Sequence, residues 1–343
     1  MLKGHLKEKA LRVSVVLPAF NAEATINRAI SSILEQTFKA FELIVVDDGS
    51  TDNTWNIIKD LETEDPRIKC YHLMHGGIAR ALNFGIKMSS GTYIARMDAD
   101  DTSYPERLEL QFDYLEKHPD VGLVSSLVKH TGDASKYEGY LKHVEWINSV
   151  VKPEQILSKR FMDSPFAHPS TCFRRHLTNK YGGYAEDSVP EDYELWLRWL
   201  HHGVAMHKLD KVLLDWHDSP GRLSRTDANY SNENFYKIKA RYLLSYLKQK
   251  FDKLPQLYVW GAGRVVNNRV KPLLDLGLTI SGFIDVKDRK DNKFIHFSQI
   301  PAQPNPGRLM ILCFVSDRKG KVEIYNFLTQ KGYEEGRDFL MMA

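Results

Sequence analysis

The sequence predicts an α/β protein: a mainly parallel sheet flanked by helices, followed by a second, smaller α/β domain. Three observations carry this reading. From Val13 onward short β-branched runs alternate with longer helical stretches. The most polar residues stand where the apolar runs stop, at the carboxyl ends of the expected strands. After Pro255 a fresh strand, Gly-rich turn and helix begin. Alternation of this kind reads as βαβ units, whose strands are parallel and covered on both faces.

The elements follow in order. VSVVLP (Val13–Pro18), FELIVVD (Phe41–Asp47), RIKCYHL (Arg67–Leu73) and GTYIARMD (Gly91–Asp98) read as strands. Between them AEATINRAISSILEQ, TDNTWNIIKDLE and IARALNFGIKMS read as helices. Thr51 and Asp52 supply a polar helix start, and Tyr104-Pro105-Glu106 opens another helix with Pro in its first turn. A further strand is expected at Val121–Val128, and residues Thr131 to Asp187 form an irregular middle rich in aromatics and His. The amphipathic run EDYELWLRWLHHG then reads as a helix stopped by Gly203. Its apolar stripe Leu195, Trp196, Trp199 and Leu200 is read as core packing.

Composition bounds the function. Of 343 residues, 43% are hydrophobic and 27% charged, which excludes collagen-like and largely disordered classes. A net charge of +3 lacks the field of a nucleic-acid binder, so no nucleic-acid partner is expected. Cys70, Cys172 and Cys313 form no CxxC pair, which argues against zinc ribbons and a disulfide framework and for a reducing compartment. No apolar run approaches a membrane span, and the basic start MLKGHLKEKALR lacks the apolar core of a signal peptide. The expected home is the cytoplasm.

Ligands of an open parallel sheet sit beyond the carboxyl ends of its strands. Here those ends carry Pro18-Ala19-Phe20-Asn21 with Glu23, Asp47-Asp48-Gly49-Ser50, and Asp98-Ala99-Asp100-Asp101. An Asp-Gly-Ser turn alone is an ordinary helix start, and an isolated DxD says less. Their joint position at successive strand ends is more telling. Clustered carboxylates repel one another unless a cation offsets them, and oxygen ligands without soft neighbours favour Mg²⁺ or Mn²⁺ bridging to a phosphorylated substrate.

The segments VSVVLPAFNAE, FELIVVDDGSTD, GGIARALNFGI and GTYIARMDADD resemble those of the inverting nucleotide-sugar glycosyltransferases of glycosyltransferase family 2, which have the GT-A fold. The likeness runs from Val13 to Ser125 and more loosely to Arg225. It implies a metal-dependent transferase that moves a sugar from a nucleoside diphosphate, a UDP-sugar, to a hydroxyl of a glycan or lipid-linked acceptor in polysaccharide assembly. It leaves room for association with the inner face of the membrane. Carried over by motif, Pro18, Phe20, Asn21, Glu23 and Asp48 would hold the nucleotide, with Phe20 stacking on uracil. Asp98 would meet the ribose and Asp100 the metal; Arg96 either steadies these acids or makes a structural ion pair.

Asp192 matches the family's general base, with Glu191 beside it. One base suffices for inversion, because a single in-line displacement forms no covalent intermediate. His168 stands in a stretch like that lining the acceptor side, or is a core histidine. Arg198 is a candidate for the diphosphate, and the segment Trp216–Asp227 resembles a closing lid, with His217 on the metal and Arg222, Ser224 and Arg225 over the diphosphate.

The expected domains are residues 1–228 for the GT-A part, 229–253 for a connecting helix and 254–343 for a Rossmann-like accessory module. The module's WGAGRVVNNR is an incomplete dinucleotide fingerprint: Val266 and Asn267 stand where the third Gly should fall, although Asp285 lies near the usual distance for a ribose-binding acid. It is expected to fold separately and to take no part in transfer. Rival readings fit less well. A nucleotidyltransferase needs a Gly-rich basic loop after the first strand, which PAFNAEAT lacks; a haloacid-dehalogenase-type phosphatase needs its nucleophilic Asp there; and a nucleotide-binding scaffold without glycosyl transfer would fit loss of the acids, which are all present.

Overall fold

The structure, a computed structural model, describes residues 11–132, 138–187, 189–218, 222–287, 289, 291–301, 304 and 307–343. The basic stretch before residue 11 and residues 219–221 of the candidate lid lie outside the described residues.

In chain order the strands are β1 (Val13–Ala19), β2 (Phe41–Asp47), β3 (Ile68–His72), β4 (Tyr93–Arg96), β5 (Thr102–Ser103), β6 (Val121–Thr131), β7 (Cys172–Arg174), β8 (Ala205–His217), β9 (Gln256–Trp260), β10 (Ile280–Asp285), β11 (Phe294–His296), β12 (Leu309–Cys313) and β13 (Phe339–Met341). The helices are α1 (Ile26–Leu34), α2 (Thr54–Glu64), α3 (Ile78–Met88), α4 (Arg107–Lys117), α5 (Glu138–Ser149), α6 (Pro153–Lys159), α7 (His176–Tyr181), α8 (Glu191–His201), α9 (Leu223–Thr226), α10 (Asn232–Lys250), α11 (Arg264–Asp275) and α12 (Arg318–Gln330). Among the described residues no helix is long and apolar enough to cross a membrane.

The chain forms two compact units that interleave along the sequence. The first comprises residues 1–153, 166–187 and 202–222; the second comprises 154–165, 188–201 and 223–343. The linear scheme differs from this by assigning 154–165, 188–201 and 223–228 to the first block.

The first unit holds an eight-stranded sheet in the order β3-β2-β1-β4-β7-β6-β8-β5. β1 to β4 are mutually parallel, and β7 runs antiparallel between β4 and β6. All seven residues of both β1 and β2 are buried, the pattern of central strands covered on both faces. The chain leaves β1 toward β2 and β3 and returns on its other side as β4, so a crevice opens at the carboxyl ends of β1 and β4.

At the opposite, amino end Glu42 clamps three neighbours. It accepts hydrogen bonds from Ser14 Oγ (2.6 Å) and Ser90 N (2.7 Å) and pairs with Lys69 Nζ (2.5 Å). Burial alone would raise its pKa, but Lys69, Ser14 and Ser90 outweigh it and hold the group at about 2, below its ordinary 4.5. A depressed carboxylate contributes stability that is present above its unfolded pKa and is lost as pH falls through the folded one. Glu42→Gln is therefore expected to lower the urea midpoint at pH 7, with the gap to wild type closing as pH drops from 4.5 toward 2. A gap that stays constant across that window would contradict the clamp.

The second unit carries a parallel sheet in the order β11-β10-β9-β12-β13, the Rossmann-like arrangement expected from Leu254 onward. Gly261 (φ +119°) opens the turn after β9, and Val266, where a third Gly would fall, reaches to within 2.9 Å of the place a Cβ on Gly261 would take.

This sheet does not own its core alone. Leu257, Val259, Leu273, Met310 and Leu340 share one hydrophobic cluster with Leu243 and Leu247 of α10, Tyr193 and Leu197 of α8, and Phe161. The buried Lys239 of α10 donates to the carbonyls of Met162 (2.8 Å) and Met342 (3.2 Å). The helix bearing Glu191 and Asp192 thus packs into the same core as this sheet. Removing everything after Lys250 is expected to expose that core, giving a chain that binds an apolar dye and has lost donor turnover. A monodisperse truncated chain of full activity would contradict this.

The irregular middle resolves into α5, α6, β7 and α7, and the segment before the candidate lid is the long strand β8. β8 shows no clean alternation to betray it: Lys211, Asp210 and Asp215 interrupt its buried positions.

Candidate active site

The loop after β1 is stapled to the loop after β2. Asn21, in the left-handed region (φ +49°), donates its N–H to Ser50 Oγ (2.9 Å) and accepts Thr51 N on Oδ1 (2.8 Å). Glu23 accepts Asn53 N (2.9 Å). The side chains of Asn21 and Glu23 thus build the loop that presents Phe20, whereas Pro18 is buried within β1. This stapling also delays α1, which starts at Ile26 although the periodicity suggested an earlier start.

Asp47, fully buried, is bound by Ser50 Oγ and by His72 Nδ1 (2.6 Å). Asp48 accepts the N–H groups of Gly76 (3.0 Å) and Gly77 (2.8 Å), and His75 Nδ1 lies 2.9 Å from its Oδ2. Phe20 is 45% exposed, and its ring stacks on His75 at 4.2 Å between centroids.

After β4 the carboxylates converge. Asp98, Asp100 and Asp101 have ligand oxygens within 4.8 Å of one another. Each like-charged pair at that range costs on the order of 3 kcal/mol at an effective dielectric near 20, more than a typical exposed ion pair returns. Burial and the neighbouring Asp98 raise the Asp100 pKa to about 6, and burial with Asp98 and Asp100 pushes Asp101 well above the carboxylate range.

Cations and donors surround the triad. Arg96, buried, makes an ion pair with Asp98. Arg28 of α1 donates to the Asp100 carbonyl (2.7 Å). Arg222 donates to the His217 carbonyl (2.8 Å), lies 4.6 Å from the ring centroids of both Tyr140 and Trp216, and draws the pKa values of Asp100 and Asp101 downward. His217 enters through its main chain: its N–H donates to Asp101 Oδ1 (2.7 Å), while its Nδ1 meets Thr131 Oγ1 at 2.9 Å. Asp101 Oδ2 is buried without a hydrogen-bond partner. Three carboxylates with no thiolate or thioether among them, one oxygen left unsatisfied, suit a hard divalent cation.

The sequence places Asp101 in the acidic run after the fourth strand but does not give its partner, because His217 is 116 residues away. His168 is buried and pushed well below its usual pKa by burial and by Arg96, so it is neutral; its Nε2 lies 2.7 Å from Tyr184 OH.

The remaining candidates belong to the second unit. Glu191 and Asp192 form the first turn of α8, where acids favour the helix dipole. Glu191 is buried and accepts from Tyr230 OH (2.6 Å), whereas Asp192 is half-buried, its Oδ1 accepting Tyr193 N (2.6 Å). Arg198 is held by Glu194 (2.8 Å), which Arg241 (3.1 Å) and Tyr242 also approach. Ser224 and Arg225 are exposed on α9.

Fold and site together define an α/β protein with a cluster of carboxylates at the switch point of its large sheet. The family model described as glycosyl transferase family 2 matches residues 14–182. The chain is 30% identical over 246 residues to the O-antigen biosynthesis glycosyltransferase WbnJ of Escherichia coli, covering 69% of this chain and 90% of that one. It is 31% identical over 191 residues to the Escherichia coli UDP-Gal:alpha-D-GlcNAc-diphosphoundecaprenol beta-1,3-galactosyltransferase, covering 55% and 67%. Among solved structures, residues 1–349 of S. aureus TarS in complex with UDP-GlcNAc align with a TM-score of 0.55 at 20% identity, over 77% of this chain and 71% of that one. The chain belongs to glycosyltransferase family 2 and has the GT-A fold; it is a glycosyltransferase.

Proposed function

We propose that the protein transfers a sugar, with inversion, from a UDP-sugar to a hydroxyl of a glycan or lipid-linked acceptor. The observation that carries this is the Asp98, Asp100 and Asp101 triad at the end of β4, beside the stapled loops of β1 and β2. The relatives named for O-antigen synthesis and for galactosyl transfer to a lipid diphosphate support the substrate class.

In this reading Phe20 offers a face to the uracil and Asp48 an acceptor for its ring N–H, while Asp98 receives the ribose hydroxyls. Asp100 and Asp101 would hold Mn²⁺ or Mg²⁺, which when bound neutralises the diphosphate and its developing charge as the leaving group departs. Arg222 adds a guanidinium suited to phosphate oxygens, and its seat against Tyr140 and Trp216 fixes its direction. Asp192 takes the proton from the acceptor hydroxyl as that oxygen attacks the anomeric carbon opposite the diphosphate. Glu191, engaged by Tyr230, orients the start of α8 and is the weaker candidate for the base. Association with the inner membrane face suits a lipid-linked acceptor.

A panel of nucleotide sugars assayed for slow donor hydrolysis with Mn²⁺ tests the reading. The expected result is UDP release from one preferred UDP-sugar. Failure of every UDP-sugar, with turnover of a donor on another nucleotide, would overturn the choice of UDP.

A further inference from the structure

The face of Phe20 and the carboxylate of Asp48 are already occupied, and by one side chain. His75, in the connection between β3 and α3, lays its imidazole on Phe20 with 4.2 Å between centroids and 24° between planes. Its Nδ1 lies 2.9 Å from Asp48 Oδ2 and 3.0 Å from the Asp48 carbonyl oxygen. Both neighbours are acceptors, so Nδ1 carries the proton and donates. A flat π-ring on Phe20 with a ring N–H directed at Asp48 has the two features that uracil would present through its face and its N3–H.

We propose that His75 is a built-in stand-in for the nucleobase, which an incoming uridine nucleotide must displace to reach Phe20 and Asp48. The inference rests on the reading of those two residues as the base site. At 4.2 Å the rings leave no gap for a third, so base and imidazole exclude one another on this face of Phe20.

The surroundings permit the exchange. The His75 side chain is 59% exposed and can turn into solvent without opening the core. The Gly76 and Gly77 N–H groups stay on Asp48 and hold the backbone while the side chain rotates away. Gly49 (φ +76°) allows the close approach, since a Cβ there would lie 2.7 Å from His75 N. Asp48 Oδ2 keeps its bond from Gly77 and regains one acceptor position, the one a ring N–H fills. Bases with an acceptor at that ring position, as in cytosine, would face the carboxylate unfavourably. His75 therefore lowers the affinity for every nucleotide by the fraction of time it occupies the site.

Calorimetric titration of the full chain with UDP and Mn²⁺ tests this. His75→Ala is expected to bind UDP about three- to tenfold more tightly than wild type, as removal of a competing internal group predicts. In wild type, the histidine C–H resonance absent from the spectrum of His75→Ala is expected to lose its Phe20 ring-current shift when UDP is added. Unchanged or weaker UDP binding by His75→Ala overturns the proposal. Phe20→Ala separates the two levels of the argument. If it weakens UDP binding while His75→Ala has no effect, only the stand-in role fails; if Phe20→Ala leaves UDP binding unchanged, the base-site reading fails with it.

Discussion

Replacing Asp192 by Asn is expected to lower turnover by about 10²- to 10⁴-fold, the usual contribution of a positioned general base, while UDP affinity stays nearly intact. Asn keeps the size of the side chain and can still accept Tyr193 N–H through its carbonyl oxygen, so the first turn of α8 should survive. What it loses is the capacity to take a proton from the acceptor hydroxyl. The neighbouring acid supplies the control. Glu191→Gln leaves Tyr230 OH with an amide oxygen to donate to, so its turnover should fall far less. Unchanged turnover in Asp192→Asn, with a large loss in Glu191→Gln, would move the base to Glu191.

The second large effect concerns the carboxylate triad. Asp100→Asn is expected to cut turnover by at least about a hundredfold, because several kcal/mol of charge neutralisation at the diphosphate depends on a held cation. The variant should remain folded, and by relieving repulsion with Asp98 and Asp101 it should show no loss of thermal stability. A chelator should abolish wild-type turnover, with Mn²⁺ or Mg²⁺ restoring it. Full activity in excess EDTA would remove the cation from the account.

The parts of this site that were legible in the sequence are those written in contiguous residues. The strand ends, the Asp98 to Asp101 run and the Asp47 to Ser50 turn each lie in one short segment, and a parallel sheet brings such segments to one edge. Roles set by partners far along the chain were not legible. Asn21 and Glu23 serve the loop through Thr51 and Asn53. His217, expected on the metal, reaches the triad through its N–H, because the β6–β8 register pairs Thr131 with His217 and its imidazole meets Thr131. Arg198, a candidate for the diphosphate, is drawn to Glu194 one helical turn away. The same limit applies to the domains: nothing in EDYELWLRWL announces that Tyr193 and Leu197 pack with β9 and β13, since an amphipathic stripe tells that a face is buried and not what covers it.

The stereochemistry of donor hydrolysis tests the central claim most directly. An α-linked UDP-sugar incubated with the protein and Mn²⁺, and followed by proton NMR from the first minutes, should release UDP together with the β-anomer of the free sugar, before mutarotation mixes the two forms. Initial release of the α-anomer would mean retention, and would contradict a single in-line displacement assisted by one base.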